Sequence, residues 1–159
     1  MSFATADLYD EHEEKLQIAT PMFKDYGGKK KFSGPASTVK VFEDNSLVRA
    51  ALEEPGNGRV LVVDGEASLR CALVGDMLAE LGQKNGWQGI IVYGCIRDSA
   101  VIASIDLGVK ALNTNPRKSV KKGIGERDVQ VTFADVMIKP GDYIYADEDG
   151  IVISAEKLT

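Results

Sequence analysis

The stretch VGDMLAELGQKNGWQGIIVYGCIRD, Val74 to Asp98, decides the fold. It reads as a loop, a helix, a turn, a buried strand, and a charged pair where the strand ends. Asp76 is positioned to cap the helix, and Leu78 and Leu81 fall on one face of it. Gly82 weakens its last part and Gly86 ends it. Trp87 to Tyr93 is a short apolar run between glycine-containing turns, the pattern of a strand buried on both faces. Twenty residues separate Asp76 from Arg97. If the helix packs back against the strand, the two loops meet at one edge of a sheet.

Working outward, the flanking segments repeat this alternation. Upstream, Thr5 can cap a short acidic helix through Leu8 and Tyr9, and Gly27-Gly28 is a turn. Gly34-Pro35 opens a strand from Ser37 to Phe42, in which Val39 and Val41 alternate with Thr38 and Lys40. Asn45 or Ser46 caps a helix over Leu47, Val48, Ala51 and Leu52, which Pro55-Gly56-Asn57-Gly58 stops. Arg59 to Val63 is a central strand, and Leu69 to Leu73 reads as a helical turn. Downstream come a short helix from Ser99 to Asp106, a strand from Val109 to Asn113, and a polar, basic loop reaching Gly123-Ile124-Gly125. Strands at Val129–Phe133 and Val136–Ile138 and a hairpin of Tyr143–Tyr145 with Gly150–Ile153 close the chain. This predicts a mixed α/β domain over residues 1–159 with parallel and antiparallel pairing.

Composition narrows the function classes. The 159 residues are 44% hydrophobic and 27% charged, ordinary for a globular domain. A net charge of −5 argues against direct binding to nucleic acid or to an anionic membrane. No apolar run approaches the ~20 residues of a membrane helix, and the acidic N-terminus lacks a signal peptide's apolar core. The cytoplasm is the expected compartment. Cys71 and Cys95 read as free buried thiols. The only histidine, His12, lies in an acidic exposed segment, which disfavours a His-rich zinc site or a histidine-dependent triad.

Chemistry concentrates at the two ends of the opening stretch. Arg97 offers a planar fork that matches a carboxylate at two points. Asp98 offers the oxygen ligand that Mg²⁺ or Mn²⁺ prefers, with water completing the octahedron. The alternative is that Asp98 caps the Ser99 helix and Arg97 makes a surface ion pair. At Gly75, Asp76, Met77 and Leu78, a helix start presents unpartnered amides to an anion, and Gly75 permits close approach. Lys118, Lys121 and Lys122 form a solvated basic patch able to receive a phosphate or an acidic partner. The turn at Asp147-Glu148-Asp149-Gly150 is too short for an EF-hand loop. No lysine is expected in an apolar segment, so Schiff-base chemistry is disfavoured against a metal-assisted route.

These residues resemble the RraA-like family, which includes metal-dependent 4-hydroxy-4-methyl-2-oxoglutarate aldolases and the regulator of ribonuclease activity A. The resemblance covers nearly the whole chain, through FEDN at Phe42–Asn45, GRVLVVDG ending at Gly65, and GDYIYADEDGIVIS from Gly141 to Ser154. The aldolase branch is marked by Asp, twenty residues, then Arg-Asp, here Asp76, Arg97 and Asp98. The resemblance implies a β/β/α swivelling fold with a mixed sheet, assembled as a homotrimer with sites near subunit contacts. It implies that Asp98 anchors the divalent ion, Arg97 holds the 2-oxo acid, and the Gly75–Leu78 backbone binds the pyruvate carboxylate. Catalysis would then rest on Arg97 and Asp76, and oxaloacetate would lose CO₂ through the same pyruvate enolate. Longer aldolases of the family carry a C-terminal extension that can lend an acid to the neighbouring site; Glu156 is the only acid in this tail. FEDN and GRVLVVDG are also close to the regulator branch, which binds and inhibits ribonuclease E and need not keep the metal aspartate.

Overall fold

The computed structural model describes residues 2–159. Its backbone is four parallel strands in sequential order, β3 (Phe32–Lys40), β4 (Val60–Asp64), β6 (Gly89–Ile96) and β7 (Gly108–Thr114). The helices α2 (Ser46–Glu53), α3 (Asp76–Lys84) and α4 (Ser99–Ile102) lie in the crossovers. They cover one face of the sheet. Val48, Leu52, Leu78 and Ile102 pack there with Leu61, Val63, Ile90 and Val92 in one continuous core. Alternate residues of the same strands, Val60, Val62 and Ile91, point to the opposite face, as the two-residue period of a strand requires. There they meet β9 (Val131–Phe133), β10 (Val136–Ile138) and the hairpin β11 (Tyr143–Asp147) and β12 (Gly150–Ser154). The layering is therefore β/β/α.

The long strand β3 joins the two β layers. Its first half, through Pro35, pairs antiparallel with β11, and its second half, from Ala36, pairs parallel with β4. It begins at Phe32, not at Ser37, and Gly34-Pro35 lies inside it. Short strands complete the edges: β1 (Leu16–Ile18) on β12, β2 (Lys24–Asp25) on β7, and β8 (Glu126–Arg127) on β3.

Several local expectations change. Leu69–Leu73 is not a helical turn; Ala72–Val74 form strand β5. The reason lies in β6, which is paired by β4 only as far as Tyr93 and by β5 at Cys95 and Ile96. Without β5 the end of β6 would be paired on one side only, by β7, and its peptides on the other side would lack partners, at a cost comparable to lost hydrogen bonds. The helix predicted from Ser99 to Asp106 stops at Ile102. Thr5 is not a cap but the first residue of α1 (Thr5–His12); its amide and hydroxyl donate to the Asp147 carboxylate at 2.8 and 2.7 Å. Lys110, against expectation, is a buried lysine, 2% exposed between Val109 and Ala111. Its ammonium donates to the Asp25 carboxylate at 2.8 Å and to the Asp147 carbonyl at 2.8 Å. Pairing rather than bare desolvation describes this lysine, so it is no Schiff-base candidate.

Candidate active site

Four loops leave the carboxyl ends of parallel strands and converge. Asn45 follows β3, Gly75 to Leu78 follow β5, Arg97 and Asp98 follow β6, and Lys118 to Lys121 follow β7. This is where a parallel sheet leaves a crevice for ligands. The cleft they line measures about 110 Å³, below the ~300 Å³ at which pockets for drug-sized ligands begin. It suits a small acid.

Every residue singled out in the opening stretch reaches this cleft: Gly75, Asp76, Met77, Leu78, Arg97 and Asp98. Asp98 does stand at the start of α4, but its side chain makes no capping bond there. Instead its Oδ2 accepts from the Asp76 amide at 3.1 Å, so Asp98 caps α3 from twenty-two residues away. Asp76 is thus not the cap of its own helix. Gly75 holds that position, with no side-chain bond. The remaining free amides of the first turn are Met77 N and Leu78 N, since Ala79 N already donates to Gly75 O. Those two, at the positive end of a helix, are the donors offered to an anion.

Asp98 holds a left-handed backbone, φ 58°, that Asp and Asn tolerate better than most side chains. This conformation folds the Arg97-Asp98 pair back against Gly75. A Cβ on Gly75 would lie 2.8 Å from Asp98 Oδ2 and 3.5 Å from Arg97 Cγ and Nε. Only glycine leaves the carboxylate where it is. Gly75→Ala is expected to push the Asp98 carboxylate aside yet keep the fold, because the displaced atom ends a side chain, with a melting temperature lowered by only a few degrees in thermal denaturation. Arg97 donates Nη1–H to Pro116 O at 3.3 Å and, among the described residues, makes no ion pair. Most of its fork remains available to a ligand.

The opposite wall was not legible as a site. Arg49, Asn45, Ser119, Lys118 and Lys121 line it, so two lysines of the expected solvated patch face the cleft. Asp44 puts them there. Its Oδ1 accepts from Ser46 N and Oγ, and its Oδ2 accepts from Lys122 N at 2.8 Å and Ile124 N at 3.2 Å. Burial pushes the Asp44 carboxyl up, but these four bonds outweigh it and bring the pKa down to about 2. Asp44 thereby assumes the capping task expected of Asn45 or Ser46, and Asn45 is released to the cleft. One signal was present: Asp44-Asn45-Ser46 puts three cap-forming residues before a helix that needs one. Cys71 and Cys95 are free and buried, and burial pushes both thiols up, which makes them poor nucleophiles. Glu156, the tail acid, is engaged by Lys15 at 2.9 Å.

Comparison with known proteins places the chain in a family. Residues 5–153 match the RraA-like family, described as Aldolase/RraA. A protein of Alkalilimnicola ehrlichii is 65% identical over 99% of this chain and 98% of its own length. One of Dechloromonas aromatica is 58% identical over the whole of both. Both carry the name "Putative 4-hydroxy-4-methyl-2-oxoglutarate aldolase". Among solved structures, the RNA-processing inhibitor RraA from Thermus thermophilis superposes with a TM-score of 0.96 at 42% identity, covering 100% of this chain and 96% of that one. A Geobacillus kaustophilus protein described as an S-adenosylmethionine:2-dimethylmenaquinone methyltransferase gives 0.97 at 51% identity, over 98% of this chain and 97% of that one. Three functional names sit on one backbone, so the fold does not select among them and the site must. By sequence and by structure, the chain belongs to the RraA-like family.

Proposed function

We propose that the cleft is the active site of a divalent-metal-dependent carbon–carbon lyase that cleaves 4-hydroxy-4-methyl-2-oxoglutarate to two pyruvates and also decarboxylates oxaloacetate. The observation that carries this reading is the packing of Arg97 and Asp98 against Gly75 at the open start of α3. The names of relatives 65% and 58% identical support the aldolase assignment.

The donor set suits a hard, hydrated cation. No group of three or more His, Cys, Asp or Glu side chains among the described residues could enclose a metal. Mg²⁺ and Mn²⁺ need no such cage, because they keep several waters and bind through one or two carboxylates. Asp98 is the residue that would hold the ion. When bound, the ion supplies Lewis acidity to the substrate's 2-oxo group. Met77 N and Leu78 N hold the adjacent carboxylate at the helix start. Arg97 sets a permanent positive charge beside the oxygen on which the enolate's charge develops. Asp76 orients a water that takes the proton of the 4-hydroxyl. The C3–C4 bond then breaks, its electron pair enters the enolate, and the same water returns the hydroxyl proton to C3 to give the second pyruvate.

The assembly proposed with this reading is a homotrimer in the cytoplasm whose subunit contacts border the cleft. Met77, an apolar side chain lining the cleft, is 68% exposed, and a neighbouring subunit would cover it. No helix among the described residues is long and apolar enough to cross a membrane.

Pyruvate release from each substrate, followed with Mg²⁺ or Mn²⁺ and again after EDTA, tests the proposal. Release that EDTA abolishes and added metal restores is expected. Release no faster than with metal alone, from folded protein, would sink it. The likeness to the RNA-processing inhibitor favours a second reading, a regulator that binds ribonuclease E. A pull-down with the purified ribonuclease E scaffold tests that reading, and it needs no metal.

A further inference from the structure

A second cavity, of about 390 Å³, lies between residues 19–24 and the turn that joins β11 to β12. It shares no lining residue with the cleft, and its volume falls in the range of small-molecule sites. Lys110 lines it while only 2% exposed, so its ammonium belongs to the inner end. An ammonium has three N–H donors. The chain uses two of them, on the Asp25 carboxylate and the Asp147 carbonyl. The third has no partner among the described residues, and a buried donor left so costs free energy. Charges of both signs gather near it. Asp147, whose carbonyl the ammonium touches, is followed directly by Glu148 and Asp149, and both line the cavity. Lys24 lines it too, in register with Ala111, the neighbour of Lys110. Lys24, Glu148 and Asp149 make no ion pair among the described residues. Met22, Phe23 and Ile151 add an apolar surface. Phe23 is held against Tyr93 and Phe133, with ring centroids 6.3 and 6.0 Å away. Thr20 is tied by its hydroxyl to the Asp135 carboxylate at 2.8 Å. The cavity is therefore formed before any ligand arrives, which lowers the cost of binding.

We infer that this cavity binds a free α-amino acid with an apolar side chain. Its carboxylate accepts the third N–H of Lys110, with Lys24 beside it. Its ammonium donates to Glu148 and Asp149, and its side chain lies on Met22, Phe23 and Ile151. A simple carboxylic acid would meet the two acidic groups, and a simple amine would meet the two lysines. A molecule that carries both charges on one carbon is matched at both ends. Lys110 comes already neutralised by Asp25, so the ligand contributes a hydrogen bond there without having to compensate a bare buried charge. The inference does not depend on the lyase reading, because none of these groups reaches the cleft.

Titration calorimetry with three related probes tests it: L-leucine, 4-methylpentanoate, which is leucine without its ammonium, and 3-methylbutylamine, which is leucine without its carboxylate. Leucine is expected to bind the native protein at least tenfold more tightly than either analogue. In a Glu148→Gln, Asp149→Asn variant, which changes only exposed side chains, its advantage over 4-methylpentanoate is expected to fall to within about twofold of one. Lys110→Met alone would leave Asp25 without its partner and endanger the fold, so it is combined with Asp25→Leu, which removes both charges together. That double variant is expected to lose leucine binding. EDTA is expected to leave leucine affinity within about twofold, and pyruvate is not expected to compete. Absence of leucine binding at millimolar concentration overturns the inference, as does equal affinity for the three probes. A preference that survives the Glu148→Gln, Asp149→Asn change also overturns it. So does competition by pyruvate, which would put the ligand in the cleft.

Discussion

An Asp98→Asn variant is expected to lose lyase activity by on the order of 10³-fold while remaining folded, because Lewis-acid assistance is worth several kcal/mol of barrier. Asparagine is the informative replacement. It tolerates the left-handed backbone at φ 58° and keeps a side-chain oxygen to accept from the Asp76 amide, so the cap on α3 survives. It removes only the negative charge that a hard cation requires. Alanine would remove the cap as well, at about 1 kcal/mol, and would strain the left-handed residue by roughly 1–2 kcal/mol more. The expected result is a melting temperature within a few degrees of the native value, divalent-ion affinity lowered severalfold or more, and pyruvate release at the metal-only rate. Unchanged catalysis in the Asn variant would remove Asp98 from the metal role. Binding to ribonuclease E, if the chain has it, is expected to be indifferent to the substitution, which separates the two readings in one protein.

How much of this was readable beforehand follows from the kind of signal each residue carries. The α3–β6 stretch was legible because two periods change within it, from a helical face at Leu78 to a continuous apolar run after Gly89. The placement of Arg97 and Asp98 at a strand's carboxyl end followed from the same reading. Strand β5 was not legible, since three residues carry no period and its existence depends on the unpaired end of β6. The buried Lys110 was missed for a related reason. Its partners, Asp25 and the Asp147 carbonyl, come from distant segments that only the sheet order brings together. The cationic wall was hidden because Lys118 and Lys121 lie in a loop whose course is set by hydrogen bonds to Asp44, more than seventy residues earlier. Local composition describes such a loop as solvated, and nothing local contradicts it.

Asp44 therefore carries a second large effect. It is 4% exposed and holds Ser46 at the start of α2 together with Lys122 and Ile124 in the basic loop. In Asp44→Asn the new NH₂ group or the neutral oxygen must face the amides of Lys122 and Ile124, so at least one buried charge-assisted bond is lost. Bonds of this kind contribute about 1.5–3 kcal/mol each, and a melting temperature lowered by about 4–10 °C is expected. The pH dependence gives the sign. The carboxyl has a pKa of about 2 in the folded protein against an ordinary 3.8, so its contribution is fully present above the unfolded value. It declines as the pH falls through 3.8 and is gone below about 2. That interval corresponds to roughly 2–3 kcal/mol. Native and Asp44→Asn proteins are thus expected to differ by a constant stability above about pH 5 and to converge in acid, in parallel denaturant titrations. A gap that stays constant down to pH 2 would show that the carboxylate charge is not what anchors the loop. Because that loop carries Lys118 and Lys121 to the cleft, the same variant is expected to raise KM for the diacid substrate about tenfold at neutral pH. Stability and diacid affinity then fall together through one buried carboxylate that touches no substrate.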